Sequence, residues 1–158
     1  MAKGTQVEAL DELPGHYIRR LQQIAVGIFL DETAAESLTP VQFALLFSAA
    51  KEPGLDQRTL AGKIGFDTST MGAVVDRLEA RGLIVRNVSP SDKRVRLLNL
   101  TPEGHAVLGR VIPSMLRAQE RMLAPLPPAD RPRFMAMVKR IVDENNGWSR
   151  ASRTQPGE

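Results

Sequence analysis

Four ionisable residues crowd the stretch "SPSDKRVRLLNLT", where Asp92 stands beside Lys93, Arg94 and Arg96 between two apolar runs. An acid among bases at a turn can do one of two things. As a plain surface ion pair it is worth at most ~1 kcal/mol. As an aiming device it holds a guanidinium fork in one direction through a bidentate contact, and the arginine then loses less side-chain entropy on entering a narrow groove. Other reactive chemistry is sparse. The 158-residue chain has no cysteine, which excludes disulfides, thiolate metal sites and thiol redox switches. Its two histidines, His16 and His105, are far apart, and no glycine-rich phosphate loop or metal-spaced cluster is visible. The residues point away from an enzyme and from a resident metal or cofactor.

The elements that must position this loop are mostly helical. Apolar residues recur at helical spacing from Leu13 to Glu32, through Tyr17, Leu21, Ile24, Ala25, Ile28 and Phe29. "SLTPVQFALL" opens a second helix with Thr39 as N-cap, Pro40 at the first helical position and Gln42 completing a capping box; Pro53 and Gly54 end it. A short third helix follows Asp56 and stops at Gly65. A fourth restarts after Asp67 or Thr68 and ends at Gly82. Met71, Val74, Val75 and Leu78 form its inward face, while Ser69, Thr70, Ala73, Asp76 and Arg77 point the other way. "LIVRNV" and "RVRLLNL", joined by "SPSDK", read as a hairpin. Thr101 caps a long fifth helix to about Leu123, with a kink expected at Pro113. A last helix carries Phe134, Met137, Val138, Ile141 and Val142.

Two short helices joined by a tight turn, the second followed at once by a two-stranded hairpin, describe a winged helix-turn-helix. The expected fold is mainly α with a small β-hairpin: a winged helix-turn-helix over about residues 38–100, plus flanking helices over about 11–32 and 102–146. Residues 1–10 and 147–158 are expected to be flexible ends. The hydroxyls and small residues at the start of the fourth helix suit a major groove. Arg77, Arg81 and Arg86 can meet phosphates beside it. Asp92 would aim Arg94 at a narrow, A·T-rich minor groove, with Lys93 and Arg96 adding phosphate contacts.

Composition sets only loose bounds on this reading. With 42% hydrophobic and 25% charged residues the chain is an ordinary globular one. A net charge of +3 suggests an anionic partner weakly, so the location of the charge matters more than its sum. No secretory apolar core opens the sequence and no run approaches a membrane span, which leads to the expectation of a cytoplasmic protein without membrane contact.

The segments "LTPVQFALL", "LAGKIGFDTSTMGAVVDRLEARGLIVR" and "SDKRVRLLNLTPEG", with the closing helix, resemble the MarR family of transcriptional regulators over about Leu13 to Asn145. "PGHYIRRLQQIAVGIF" is also similar to regulators of nicotinate breakdown within it. The resemblance implies a triangular homodimer on double-stranded DNA with a palindromic operator, and that the flanking helices over about 11–32 and 102–146 serve dimerisation. It also implies Asp92 and Arg94 at the wing tip, Ser69, Thr70 and their neighbours reading the major groove, and Arg77 on the backbone. Val107, Val111, Met115 and Met122, with Phe134, Met137, Val138 and Ile141, independently offer apolar surface for a dimer. The family further implies release from DNA by a small phenolic or aromatic carboxylate effector. The candidate contacts are His16 and Arg20, one turn apart on the first helix, and Phe43 and Phe47 on the second. Repression is the expected action. Two readings stand beside it: a DNA-binding regulator with no small-molecule effector, and a winged helix used for protein contact.

Overall fold

The computed structural model describes residues 9–149. Helix α1 spans Pro14–Glu32 and α2 Pro40–Lys51; a two-residue strand β1, Leu55–Asp56, leads into α3, Gln57–Ile64. Helix α4 is Thr68–Ala80, strands β2 and β3 are Ile84–Val88 and Arg96–Leu100, and α5 and α6 are Pro102–Leu123 and Arg131–Glu144. Among the described residues no helix is long and apolar enough to cross a membrane.

Local chemistry starts helices α2, α3 and α4 where the sequence says it should. At α2 the capping box is complete: the Gln42 N–H donates to Thr39 Oγ1 at 3.3 Å and the Thr39 N–H to Gln42 Oε1 at 3.0 Å, satisfying donors that a helix start leaves orphaned. Asp56 caps α3 and Asp67 caps α4, and Gly65 closes α3 in the left-handed region at φ 65°. Helix α5 runs unbroken through Pro113.

The sheet has three strands in the order β1-β3-β2, all antiparallel, where a two-stranded hairpin was expected. Ile84 faces Leu100 and Val88 faces Arg96 across the hairpin, while Leu55 faces Leu98 in the added pair. That register turns Leu98 and Ile84 inward, onto Leu45, Leu46, Leu60, Met71, Val75 and Leu78 of α2, α3 and α4. Each such leucine, fully buried, contributes about 1.5–3 kcal/mol of transfer free energy. The helix-turn-helix and the wing are thus built on one core. Their relative position is fixed by packing rather than by a flexible link.

Two residues assigned to a dimer surface lie elsewhere. Val107 and Val111 are buried in this same core, because the first half of α5 packs over α2 and the sheet. Met115 also packs against the core from a half-buried position. Helix α1 lies along α5, whereas α6 packs chiefly on the short turns that flank it. Tyr17, Ile18, Leu21 and Ile24 of α1 and Met137, Ile141 and Val142 of α6 are left exposed.

A candidate nucleic-acid interface

Helix α4 presents its start to solvent. The Asp67 carboxylate accepts the Ser69 N–H at 2.9 Å and the Ser69 hydroxyl at 2.9 Å, and Thr70 Oγ1 donates to the Asp67 carbonyl at 3.1 Å. Both hydroxyls spend their proton on Asp67, so each offers lone pairs outward, suited to accept from an exocyclic amine on a base edge. Ala73 and Arg77 follow on the same exposed face, one and two turns on. Met71, Val74, Val75 and Leu78 are buried on the opposite one, as their spacing requires.

The wing carries the expected pair. Arg94 donates to Asp92 three times: backbone N–H to Oδ1 at 2.9 Å, Nε to Oδ1 at 3.2 Å and Nη2 to Oδ2 at 3.2 Å. The turn beneath is closed by the Val95 N–H on the Asp92 carbonyl and the Ser89 N–H on the Val95 carbonyl, both 3.0 Å. Arg94 remains 91% exposed while Asp92 is 39% exposed, so the acid sits at the base and the guanidinium projects. The side-chain bond from Arg94, helped by its backbone N–H, holds the Asp92 carboxyl below its ordinary value. Lys93 is exposed at the tip.

Arg86 and Arg96, both expected at phosphates, are engaged within the protein. Arg86, placed among the DNA-contacting residues by sequence, lies across the face between β2 and α4. Its Nε donates to Glu79 Oε2 at 2.9 Å and its Nη2 bonds Asp76. Only 28% of its side chain is exposed. The hydrogen bond from Arg86 lowers the Glu79 carboxyl from its usual range. Arg86 therefore fastens the wing strand to the recognition helix, its guanidinium held by two carboxylates where the sequence reading has it meet a phosphate. Arg96, likewise, donates from Nη1 to the Lys93 carbonyl at 2.7 Å and braces the wing tip. Sequence reading missed Asp76 and Glu79 as the anchors of Arg86; their three-residue spacing on one helix face was the available signal.

The four candidate ligand residues do not form one cluster in a protomer. Phe43 stacks on Phe47 with ring centres 5.8 Å apart and meets Phe29 at 5.9 Å, while Lys51 Nζ lies 5.6 Å above the Phe47 ring. His16 and Arg20 belong to the first turns of α1, and Phe29 to its last, about 20 Å along the helix axis from His16. There His16 meets the Tyr17 ring edge-on at 5.7 Å and pairs Nδ1 with Arg19 at 3.5 Å. Lys51, beside an aromatic stack, was not singled out from sequence.

The MarR family profile matches residues 38–95, the helix-turn-helix and the wing tip. A proposed transcriptional regulatory protein for the hcr operon of Thauera aromatica is 35% identical over 84% of this chain and 80% of its own length. The transcriptional repressor NicR of Pseudomonas putida is 28% identical over 86% and 87%. Among solved structures, the PcaV regulator of Streptomyces coelicolor in complex with its natural ligand is 38% identical, with a TM-score of 0.80 over 87% of this chain and 97% of that one. The repressor CouR bound to a 23-mer DNA duplex is 34% identical, with a TM-score of 0.80 and the same coverage. BpsR of Bordetella bronchiseptica, whose DNA binding is regulated by 6-hydroxynicotinic acid, is 27% identical, with a TM-score of 0.81 over 85% and 96%.

Proposed function

We propose that this chain, which belongs to the MarR family of transcriptional regulators, acts as a homodimeric repressor that leaves a palindromic operator when a small aromatic carboxylate or phenol binds. One observation carries the DNA-binding part: a recognition helix with an exposed hydroxyl-bearing start and a wing with a pre-aimed Arg94 stand on a single packed core. Helix α4 seats in the major groove, where Ser69, Thr70 and Ala73 approach base edges. Arg94 enters the adjoining minor groove, and Arg77 and Lys93 meet phosphates.

The exposed apolar faces of α1 and α6 support the homodimer. Tyr17, Ile18 and Ile24 are each about half exposed or more, as are Met137, Ile141 and Val142. Apolar faces left open on two helices at the chain ends are covered most simply by a second copy. A two-fold protein then reads a two-fold site.

The effector acts by population shift: it binds a dimer geometry in which the recognition helices no longer match the operator, and differential affinity of several kcal/mol suffices to reverse occupancy. Two places suit an aromatic acid. One is the Phe29–Phe43–Phe47 stack with the Lys51 ammonium beside it. The other is the start of α1, where His16 and the Arg20 guanidinium stand. BpsR's response to 6-hydroxynicotinic acid supports the ligand class. The test titrates 6-hydroxynicotinate, hydroxybenzoates and hydroxycinnamates into the protein–DNA complex, with Lys51→Ala and Arg20→Ala as paired variants. Release by at least one acid, lost in one variant, is expected. No release by any of them would leave a regulator without an effector of this class.

A further inference from the structure

Arg81, which ends the recognition helix and was expected to reach a phosphate, is turned the other way. Its Nη1 donates to the Ser37 carbonyl at 3.0 Å and its Nη2 to the Glu36 carbonyl at 2.8 Å. These two carbonyls belong to the connector between α1 and α2. There Ser37 adopts φ 50°, the one positive φ outside glycine among the described residues. Helix α5 grips the same connector. Arg110 Nε donates to Glu36 Oε1 at 2.7 Å, and its Nη2 reaches Glu36 Oε2 at 3.3 Å and Glu103 at 3.2 Å. The connector is pinned inward on either side by Thr33 and Leu38, both buried. One short segment thus receives guanidinium groups from the DNA-reading helix and from the helix that lies along α1.

We infer that Arg81 is a positioning residue for DNA binding, tying the end of α4 to the α1–α2 connector so that the arrangement of α1 and α5 sets where the recognition helix points. A phosphate contact would leave the fork directed at solvent. Here both arms are spent on adjacent backbone carbonyls, a pairing that matches the planar, two-armed guanidinium and that a lysine's single ammonium does not reproduce. Arg81 also lies about 18 Å along the helix from Ser69, at the end away from the base-reading turn. The inference rests on the homodimer proposed above, in which α1 and α5 relate the two recognition helices. In such a dimer the tie converts their arrangement into a fixed half-site separation.

The experiment compares wild type, Arg81→Ala and Arg81→Lys on a duplex selected by the wild-type protein from a random-sequence pool. The same duplex with one base pair inserted at its centre, and with one half scrambled, completes the set. Both variants are expected to bind the selected duplex on the order of tenfold more weakly and to lose the preference against the inserted base pair. Affinity for the half-scrambled duplex and the salt dependence of binding stay as in wild type. Arg81→Lys keeps the charge and length, and serves if Arg81→Ala does not fold. Wild-type affinity in Arg81→Lys, or a salt slope lowered by about 0.9 in Arg81→Ala, overturns the inference in favour of a phosphate contact. An unchanged spacing preference in both variants overturns it as well. If the wild type itself ignores the insertion, the dimer reading falls and this one with it.

Discussion

Replacing Asp92 by alanine sets two effects of known size against each other. The substitution removes a negative charge from the surface proposed to face DNA; at about 7 Å in water a single such charge weakens attraction to a phosphate about threefold, and salt reduces that further. It also frees Arg94, whose guanidinium is directed by two bonds to that one carboxylate and whose side chain is otherwise in solvent. Immobilising an arginine from a free ensemble costs up to about thirtyfold in affinity. The entropy effect wins, and Asp92→Ala is expected to bind about tenfold more weakly although the protein has become more positive. Arg94→Ala is expected to weaken binding at least as much, but with a different ionic signature: its salt slope falls by about 0.9, while that of Asp92→Ala stays level or steepens. Fluorescence anisotropy on the selected duplex, from low to physiological salt, reads both quantities. Tighter binding by Asp92→Ala, or a flattened slope in it, would show that the acid aims nothing.

Arg86→Ala should weaken DNA binding without flattening the salt slope, since the guanidinium is engaged by Asp76 and Glu79. Adding Asp76→Asn and Glu79→Gln should restore part of the loss, which a double-mutant cycle measures as non-additivity. Gly104→Ala should be severe: a Cβ there would stand 2.0 Å from the Leu83 carbonyl oxygen and 3.3 Å from Leu100. Helix α5 would have to lift from the sheet, at about 3 kcal/mol or roughly 10 °C in Tm by calorimetry. Acid should act late. Asp92, Glu36 and Glu79 are each held below their ordinary values by hydrogen bonds from Arg94, Arg110 and Arg86 respectively. Their contribution is therefore fully present above the unfolded carboxylate pKa and lost as pH falls through the lowered folded values. Thermal stability should owe no change to these three groups from neutral pH down to about 5, and decline below about 4.

What could be read in the chain divides by how far each residue's partner lies along it. The capping box of α2 and the Asp92–Arg94 fork join residues three and two apart, so residue types at fixed spacing nearly determine the contact. Arg86 and Arg81 look equally basic in the sequence, yet their partners are 7 to 10 and 44 to 45 residues away. Nothing local distinguishes an arginine that will find carboxylates or carbonyls after folding from one that will remain in solvent. Strand β1 escaped for a related reason: two residues carry no periodicity, and only pairing with Leu97 and Leu98 makes them a strand. The α5 stripe shows the same limit in apolar form. Its spacing gives a direction but no partner, and the helix spends its first half on the protomer core through Val107 and Val111. Farther along it lies beside α1, tied by Arg117 to Glu32 and by Arg121 to Asp31 and Glu32. A helix that serves two neighbours in succession needs only one continuous stripe. The division of α5 between the helix-turn-helix core and α1 is therefore written in tertiary contacts rather than in any break of pattern along the helix.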